Sequence, residues 1–155
     1  MTLRRLDAAS PEIPAMLALI RTSFAYMEAR IDPPSSMLRL TETALRDSCA
    51  TAELWVSGDP IEACAVLTPK PDALYIGKLA VAESARGKGL ARQLVELAAE
   101  RARAAGLGWL ELQVRIELVE NHAAFARMGF AKTGETAHPG YDRPTSITMR
   151  RPLRR

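Results

Sequence analysis

Residues 79–91 read Leu79-Ala80-Val81-Ala82-Glu83-Ser84-Ala85-Arg86-Gly87-Lys88-Gly89-Leu90-Ala91. The apolar start reads as the end of a strand, the middle as a turn and a loop marked by two glycines, and the end as the first turn of a helix. A helix start leaves backbone N–H groups unpaired and carries partial positive charge, so it binds phosphate readily. Gly87 and Gly89 remove the side chains that would keep a phosphate from those N–H groups. Arg86, Lys88 and Arg92 add full positive charges around the same point. The loop is built to hold a pyrophosphate, but the same residues also make a plain solvated turn, and the elements around it decide.

Upstream, three consecutive strands are expected. Glu53–Ser57 and residues 61–68 flank Gly58-Asp59-Pro60, which reads as a hairpin turn, and Ala73–Val81 follows the turn Pro69-Lys70-Pro71-Asp72. Downstream, Leu90, Leu94, Leu97, Ala98, Ala102 and Ala105 repeat at helical spacing over 88–105, and Gly106 sits where helices end. Residues 109–114 (WLELQV) alternate as a strand does, so 73–114 is a strand–loop–helix–strand crossover between parallel neighbours. A helix over 118–128, a strand from Gly129 through Lys132 and a last antiparallel strand over 145–150 complete this half. At the N-terminus, residues 2–6 form a short strand. Ser10-Pro11 opens a helix over 11–29, with Ile13, Met16, Leu17, Ile20 and Phe24 on one face. Ser36 caps a second helix running through Cys49.

The chain has 155 residues, enough for one domain with a real core, and the reading assigns 1–155 to that single domain. Charged residues are 25% and the net charge is +3, which suits an anionic ligand. Aromatics are only 5% and no dense basic run lies inside the chain, which argues against nucleic acid; Arg150-Arg151 and Arg154-Arg155 read as solvated charge. Cys49 and Cys64 lack metal-ligand spacing and read as reduced thiols of a cytoplasmic protein, with no metal expected. No stretch reaches the length of a membrane span, and nothing reads as a signal peptide.

Among phosphate loops, a Walker-type GxxxxGK[ST] run is absent. A dinucleotide fingerprint fails too, because Gly87-x-Gly89 is followed by Arg92 at the third position and its strand belongs to an antiparallel meander. What remains is [Q/R]-x-x-G-x-[G/A], matched by Arg86-Gly87-Lys88-Gly89-Leu90-Ala91, with Met128-Gly129-Phe130 closing a downstream helix. In these residues the chain resembles the GNAT family of acetyl-CoA-dependent N-acetyltransferases, well over 53–132 and in element order throughout. The resemblance implies an α+β fold: a mixed, mostly antiparallel sheet of six or seven strands with helices on both faces. It implies that backbone N–H groups of Arg86, Gly87, Lys88, Gly89, Leu90 and Ala91 hold the pyrophosphate of acetyl-CoA. Leu79, Ala80 and Val81 would meet the pantetheine arm through their backbone, and a strand N–H would serve as oxyanion donor. The reaction implied is direct transfer of acetyl to a primary amine.

The resemblance departs from the family at several positions. Many relatives carry a tyrosine four residues before the glycine of Gly-Phe; here that residue is Phe125, which has no proton to donate. The family's asparagine, seven residues before that aromatic, is replaced by Leu118, while Asn121 lies one helical turn from Phe125 and shares its face. Where some relatives place a glutamate on the strand before the loop, Gly77 and Lys78 stand. Candidate bases are therefore Glu111, Glu117, His122, His138 and Tyr141. Glu117, just past its strand, ranks first among the acids, and Tyr141 in the His138-Pro139-Gly140-Tyr141 loop is the replacement phenol. Glu111 reads as solvated on one strand face; Trp55 and Trp109 read as core. Phe24, Tyr26 and Met27 are expected to wall the acceptor site. The acceptor itself (polyamine, aminoglycoside, amino acid or protein N-terminus) and the choice of monomer or homodimer stay open. The alternative reading is a catalytically silent acyl-CoA-binding module; a nucleotide-binding protein is a third.

Overall fold

The computed structural model describes residues 3–153, so Thr2 of the expected first strand and the Arg154-Arg155 pair lie outside the described residues. In chain order the elements are β1 (Leu3–Leu6), α1 (Ile13–Tyr26), α2 (Glu42–Ser48), β2 (Glu53–Ser57), β3 (Ala63–Pro69), β4 (Ala73–Val81), α3 (Leu90–Ala104), β5 (Trp109–Arg115), α4 (Val119–Arg127), β6 (Ala131–Thr136) and β7 (Ser146–Pro152). The seven strands form one sheet in the order β1-β2-β3-β4-β5-β7-β6. Every neighbouring pair is antiparallel except β4 and β5. This is the mostly antiparallel α+β sheet that the sequence led us to expect.

Strand alternation assigns the two faces. Ala63, Ala65 and Leu67 of β3 pack with Leu90, Leu94, Ala98 and Ala102 of α3, whereas Cys64 and Val66 pack with Ile13, Met16 and Ile20 of α1 and Leu45 of α2. The alanines of α3 let that helix lie close on the sheet, and Gly106, at φ +75°, ends it. There the Leu107 N–H donates back to the Ala102 carbonyl at 2.9 Å, a helix-ending turn that glycine's positive φ permits. Cys64 is fully buried, and burial pushes its thiol pKa up to about 12. No helix among the described residues is long and apolar enough to cross a membrane.

One break in the alternation matters for the site. Cys64 faces Ala80 but Val66 faces Gly77, so β4 carries an extra residue against β3. Lys78 takes up the distortion at φ +51°, an unusual conformation for a side chain other than glycine. Parity flips across this bulge: Leu74 and Ile76 face α3, while Ala80 faces α1.

The expected helix from Ser36 to Cys49 is replaced by two pieces. Ser35 Oγ accepts from the Met37 N–H to start a 3-10 turn over Ser36–Arg39, Leu40 is extended, and Thr41 Oγ1 then caps α2 by accepting from Ala44. Two N-caps in series gave the segment two starts. Likewise α1 ends at Tyr26 and tightens into a 3-10 turn over Glu28–Arg30. Arg30 there pairs with Glu120 of α4. At the other end, Ser10 Oγ accepts from the Glu12 N–H, one turn ahead of the helix proper.

Trp55 and Trp109 are not interior. Trp109 is 37% exposed under the Arg150 guanidinium, and Trp55 is half-buried, with its indole N–H on Glu53 and Arg101 over its ring. Trp55 nonetheless packs against the α3-side core, so Trp109 is the ring left at the rim, and each carries a cation–π contact. Glu111 is not solvated. It is buried at 5% exposure opposite Arg150 in the β5–β7 register, and its carboxylate takes hydrogen bonds from Arg150 and Lys70. Arg150 also holds Asp72, so three strand ends meet in one ionic cluster. Burial by itself raises the Glu111 pKa, but the hydrogen bonds and charges of Lys70 and Arg150 outweigh it and leave it below the ordinary carboxylate value. Such a group stabilises the fold above its unfolded pKa and loses that contribution as pH falls through its depressed folded pKa. We expect Glu111→Gln to lower unfolding free energy by about 1–3 kcal/mol at pH 7. In denaturant titrations from pH 7 down to pH 3, the wild type should lose more stability than the variant.

Candidate active site

The glycine loop has the geometry its sequence demands. After a 3-10 turn over Glu83–Ala85, Gly87 and Gly89 lie at φ +82° and +77°, and Gly89 is the N-cap of α3 with no side chain over the first-turn N–H groups. A Cβ built on either glycine meets nothing within 4 Å, so the loop opens on free space. That space is a cavity of about 320 Å³ lined by the loop and by Ala124, Arg127 and Met128 around the end of α4. Arg86, Gly87, Gly89, Leu90, Ala91 and Val81 line it together with Arg92; Lys88 does not, lying 3.8 Å from Glu62. Among the described residues Arg86, Arg92 and Arg127 have no ion pair, although Arg86 stacks over Tyr26 with 5.0 Å to the ring centroid. Arg127 was missed at the sequence level. Its only signal is its place two residues before Gly129, where the helix turns back toward the loop.

A second opening follows from strand pairing. β4 and β5 are registered only at Ala73–Trp109, Leu74–Leu110 and Tyr75–Glu111, and diverge beyond. Backbone groups on the facing edges then lack ladder partners. Between them is a cavity of about 310 Å³ lined by the unpaired stretches of both strands, Leu79 among them, and by Leu118, Asn121 and Phe125 from α4. Phe125 is held edge-on by Phe130 at 5.9 Å between centroids. Phe24 and Met27 line the opposite wall, while Tyr26 is 60% exposed beside Arg86. Ala80 is buried toward α1.

The candidate acid–base residues separate into three groups. Glu111 sits in the ionic cluster described above. His122 places Nε2 2.9 Å from the Arg115 carbonyl, which fixes it as a donor there. Glu117, Tyr141 and His138 gather near the 32–34 segment. Glu117 Oε2 accepts from the Asp32 N–H at 3.0 Å, and its Oε1 is buried without a hydrogen bond. The Tyr141 hydroxyl donates to Asp32 at 2.7 Å, and that bond raises its pKa. Neither of these two lines the cavity, but His138 does. Thr145 Oγ1 donates to the Thr136 carbonyl at 3.3 Å and accepts from the His138 backbone N–H at 3.0 Å. With its one hydroxyl proton so directed, Thr145 Oγ1 is left to accept a hydrogen bond from His138 Nδ1, which selects the tautomer protonated there. The neutral ring then carries a lone pair on Nε2, which makes no hydrogen bond among the described residues. Burial and the Arg115 charge lower the His138 pKa, against a smaller opposing effect of Glu117, so the neutral form is favoured.

Comparison with known proteins agrees with this geometry. The model of the acetyltransferase (GNAT) family matches residues 14–130. The chain belongs to that family and is an acyltransferase. No curated protein matches it. Among solved structures it is similar to the PaiA N-acetyltransferase from Thermoplasma acidophilum in complex with coenzyme A, at TM-score 0.82 and 12% identity over 98% of each chain. A GNAT acetyltransferase from Elizabethkingia anophelis with acetyl-CoA bound aligns at TM-score 0.70 and 19% identity, over 98% of this chain and 97% of that one. The ribosomal-protein-S18-alanine N-acetyltransferase from Escherichia coli aligns at TM-score 0.69 and 20% identity, over 98% and 93%. At these identities the likeness is one of fold.

The loop geometry makes a direct prediction. Gly89→Glu should fold, because its Cβ has room and the strained φ costs only about 1–2 kcal/mol. Its carboxylate should weaken coenzyme A binding at least tenfold, read by calorimetric titration beside a far-ultraviolet dichroism control.

Proposed function

We propose that the protein transfers the acetyl group of acetyl-CoA directly to a primary amine of a small molecule or peptide. The observation that carries this reading is the divergence of β4 and β5 after three paired residues, which opens a cavity beside backbone left without partners, on the strand that leads into the glycine loop. The residues present fit coenzyme A: an open N-terminal loop with unpaired arginines suits a pyrophosphate, and free strand edges suit the amides of its arm. Bound acetyl-CoA supplies a thioester carbonyl, at which an amine forms a C–N bond as the C–S bond breaks.

The chain's own groups handle charge and protons. Arg86, Arg92 and Arg127 and the first N–H groups of α3 bind and orient the phosphates. Leu79 and Val81 offer main-chain partners to the arm, and an N–H of β4 faces the carbonyl oxygen as charge develops on it. Asn121 and Phe125 close the other side of the arm. His138 Nε2 takes the proton of the attacking amine. Glu117 acts through His138, since its negative charge favours the imidazolium that forms. Tyr141 enters this proposal bound to Asp32, where it ties the 138–141 turn to the 32–34 segment. Water then protonates the departing thiolate. Phe125, with no phenol to offer at the cavity, favours one other reading, a module that binds acyl-CoA without turnover.

Calorimetric titration with acetyl-CoA, followed by thiol release in the presence of an amine panel, tests the proposal. Binding with turnover supports it; binding with no turnover selects the silent module; no binding overturns both. For the base, His138→Gln should lower kcat about 100-fold with little change in coenzyme A affinity. Because the neutral imidazole is required, wild-type activity should fall on acidification, with the midpoint below the ordinary histidine value, and the variant should lack that limb. An acid limb unchanged in His138→Gln rules out His138 as the base.

A further inference from the structure

The cavity between β4 and β5 carries an unbalanced charge. Its lining includes two cationic side chains, Lys78 and Arg115, and no aspartate or glutamate. Lys78 stands on the bulge, partly buried, and its ammonium makes no hydrogen bond or ion pair among the described residues. Burial lowers its pKa, the signature of an ammonium short of a counter-ion. The Arg115 guanidinium is held by the carbonyls of Pro33 at 2.7 Å and Pro34 at 3.2 Å, which satisfy its N–H groups and leave its charge unmatched by a direct ion pair. Asp32 and Glu117 are close enough to act on the Arg115 charge, but among the described residues neither forms an ion pair with it. Asp32 takes Tyr141 and Arg143, at 2.7 and 2.9 Å, and Glu117 takes the Asp32 N–H.

We infer that the acceptor is a small amine that also carries a carboxylate and an apolar side group, with Lys78 and Arg115 holding the carboxylate. The inference rests on the acetyl-transfer reading and narrows it. A carboxylate between Lys78 and Arg115 gives Lys78 a counter-ion and Arg115 a direct ion pair, and arginine and lysine are the side chains that bind such a group. The rest of the wall is largely apolar, with Phe24, Met27, Met37 and Leu112 facing the space, so the remainder of the acceptor is an apolar group. Polyamines and aminoglycosides are disfavoured by the same inventory. Each brings a second cation into a cavity that already has two and has no carboxylate to receive it.

The test is calorimetric titration of the protein preloaded with coenzyme A, which cannot react. The probes are leucine, methionine and phenylalanine, the amide of each, and spermidine. Wild type should bind at least one of the amino acids ten or more times as tightly as its amide, and spermidine more weakly still. Lys78→Met should remove the difference, Lys78→Arg should keep it, and Lys78→Glu should turn the preference toward spermidine. Coenzyme A affinity, measured first on each variant, reports that it is folded. Equal or tighter binding of the amides or spermidine overturns the inference, as does a preference that survives in Lys78→Met or failure of all three amino acids to bind. Those outcomes leave acetyl transfer standing when thiol release with other amines persists. Failure of coenzyme A itself to bind overturns the parent reading and this one with it.

Discussion

The fold hangs on a short parallel contact. Three residue pairs hold β4 to β5, and the ionic cluster of Lys70, Glu111, Arg150 and Asp72 locks that closed end across the turn before β4, β5 and β7. Buried charge of this kind is weak as a source of net stability but expensive to break once assembled. Its position explains its value here. A ladder so short leaves the rest of both strands free to separate, and the cluster keeps the separation from propagating to the end that must stay shut.

The bulge at Lys78 serves the same geometry from the other side. One extra residue against β3 bends β4 and flips its side-chain parity, so Leu79 can face the opening while Ala80 anchors to α1. Without that insertion the strand would keep one alternation to its end. The bulge also puts a lysine backbone in a conformation that costs energy, and sets its side chain at the wall of the cavity. A glutamate at this point would make the wall negative or neutral beside Arg115; the lysine makes it positive.

Two segments distant in sequence complete the site. The 32–34 stretch after α1 and the 138–145 loop between β6 and β7 meet through Asp32, with Tyr141 and Arg143 on its carboxylate and Glu117 on its N–H. The same loop fixes the His138 ring through Thr145, itself tied to Thr136 of β6. A hydroxyl with one proton to give thus decides which imidazole nitrogen is left as a base, without any carboxylate touching the ring.

The local elements were legible because their signals are local. Apolar periodicity placed β4 from Ala73 to Val81 and α3 within two residues, and the glycines at 87, 89 and 106 sit where a positive φ is needed. The loop's fitness for phosphate follows from the same residues, since a helix start is an anion site by its own backbone. What failed were judgements about partners. Glu111 on an alternating strand looks solvated until Arg150, thirty-nine residues on, pairs with it across β7. Trp109 looks like core until the sheet leaves it at the rim, and a segment with two caps looks like one helix. The bulge left no mark beyond Gly77-Lys78, and Arg127, Arg115 and His138 gained their places only when α4 and the 138–145 loop packed over the opening. Sequence by itself determined most of the elements, the conformation of the glycine loop and the family, because backbone propensity and spacing act within a few residues. Tertiary structure alone decided the charge of the cavity and the partners of the His138 ring, because both depend on which side chains the fold brings together from far apart.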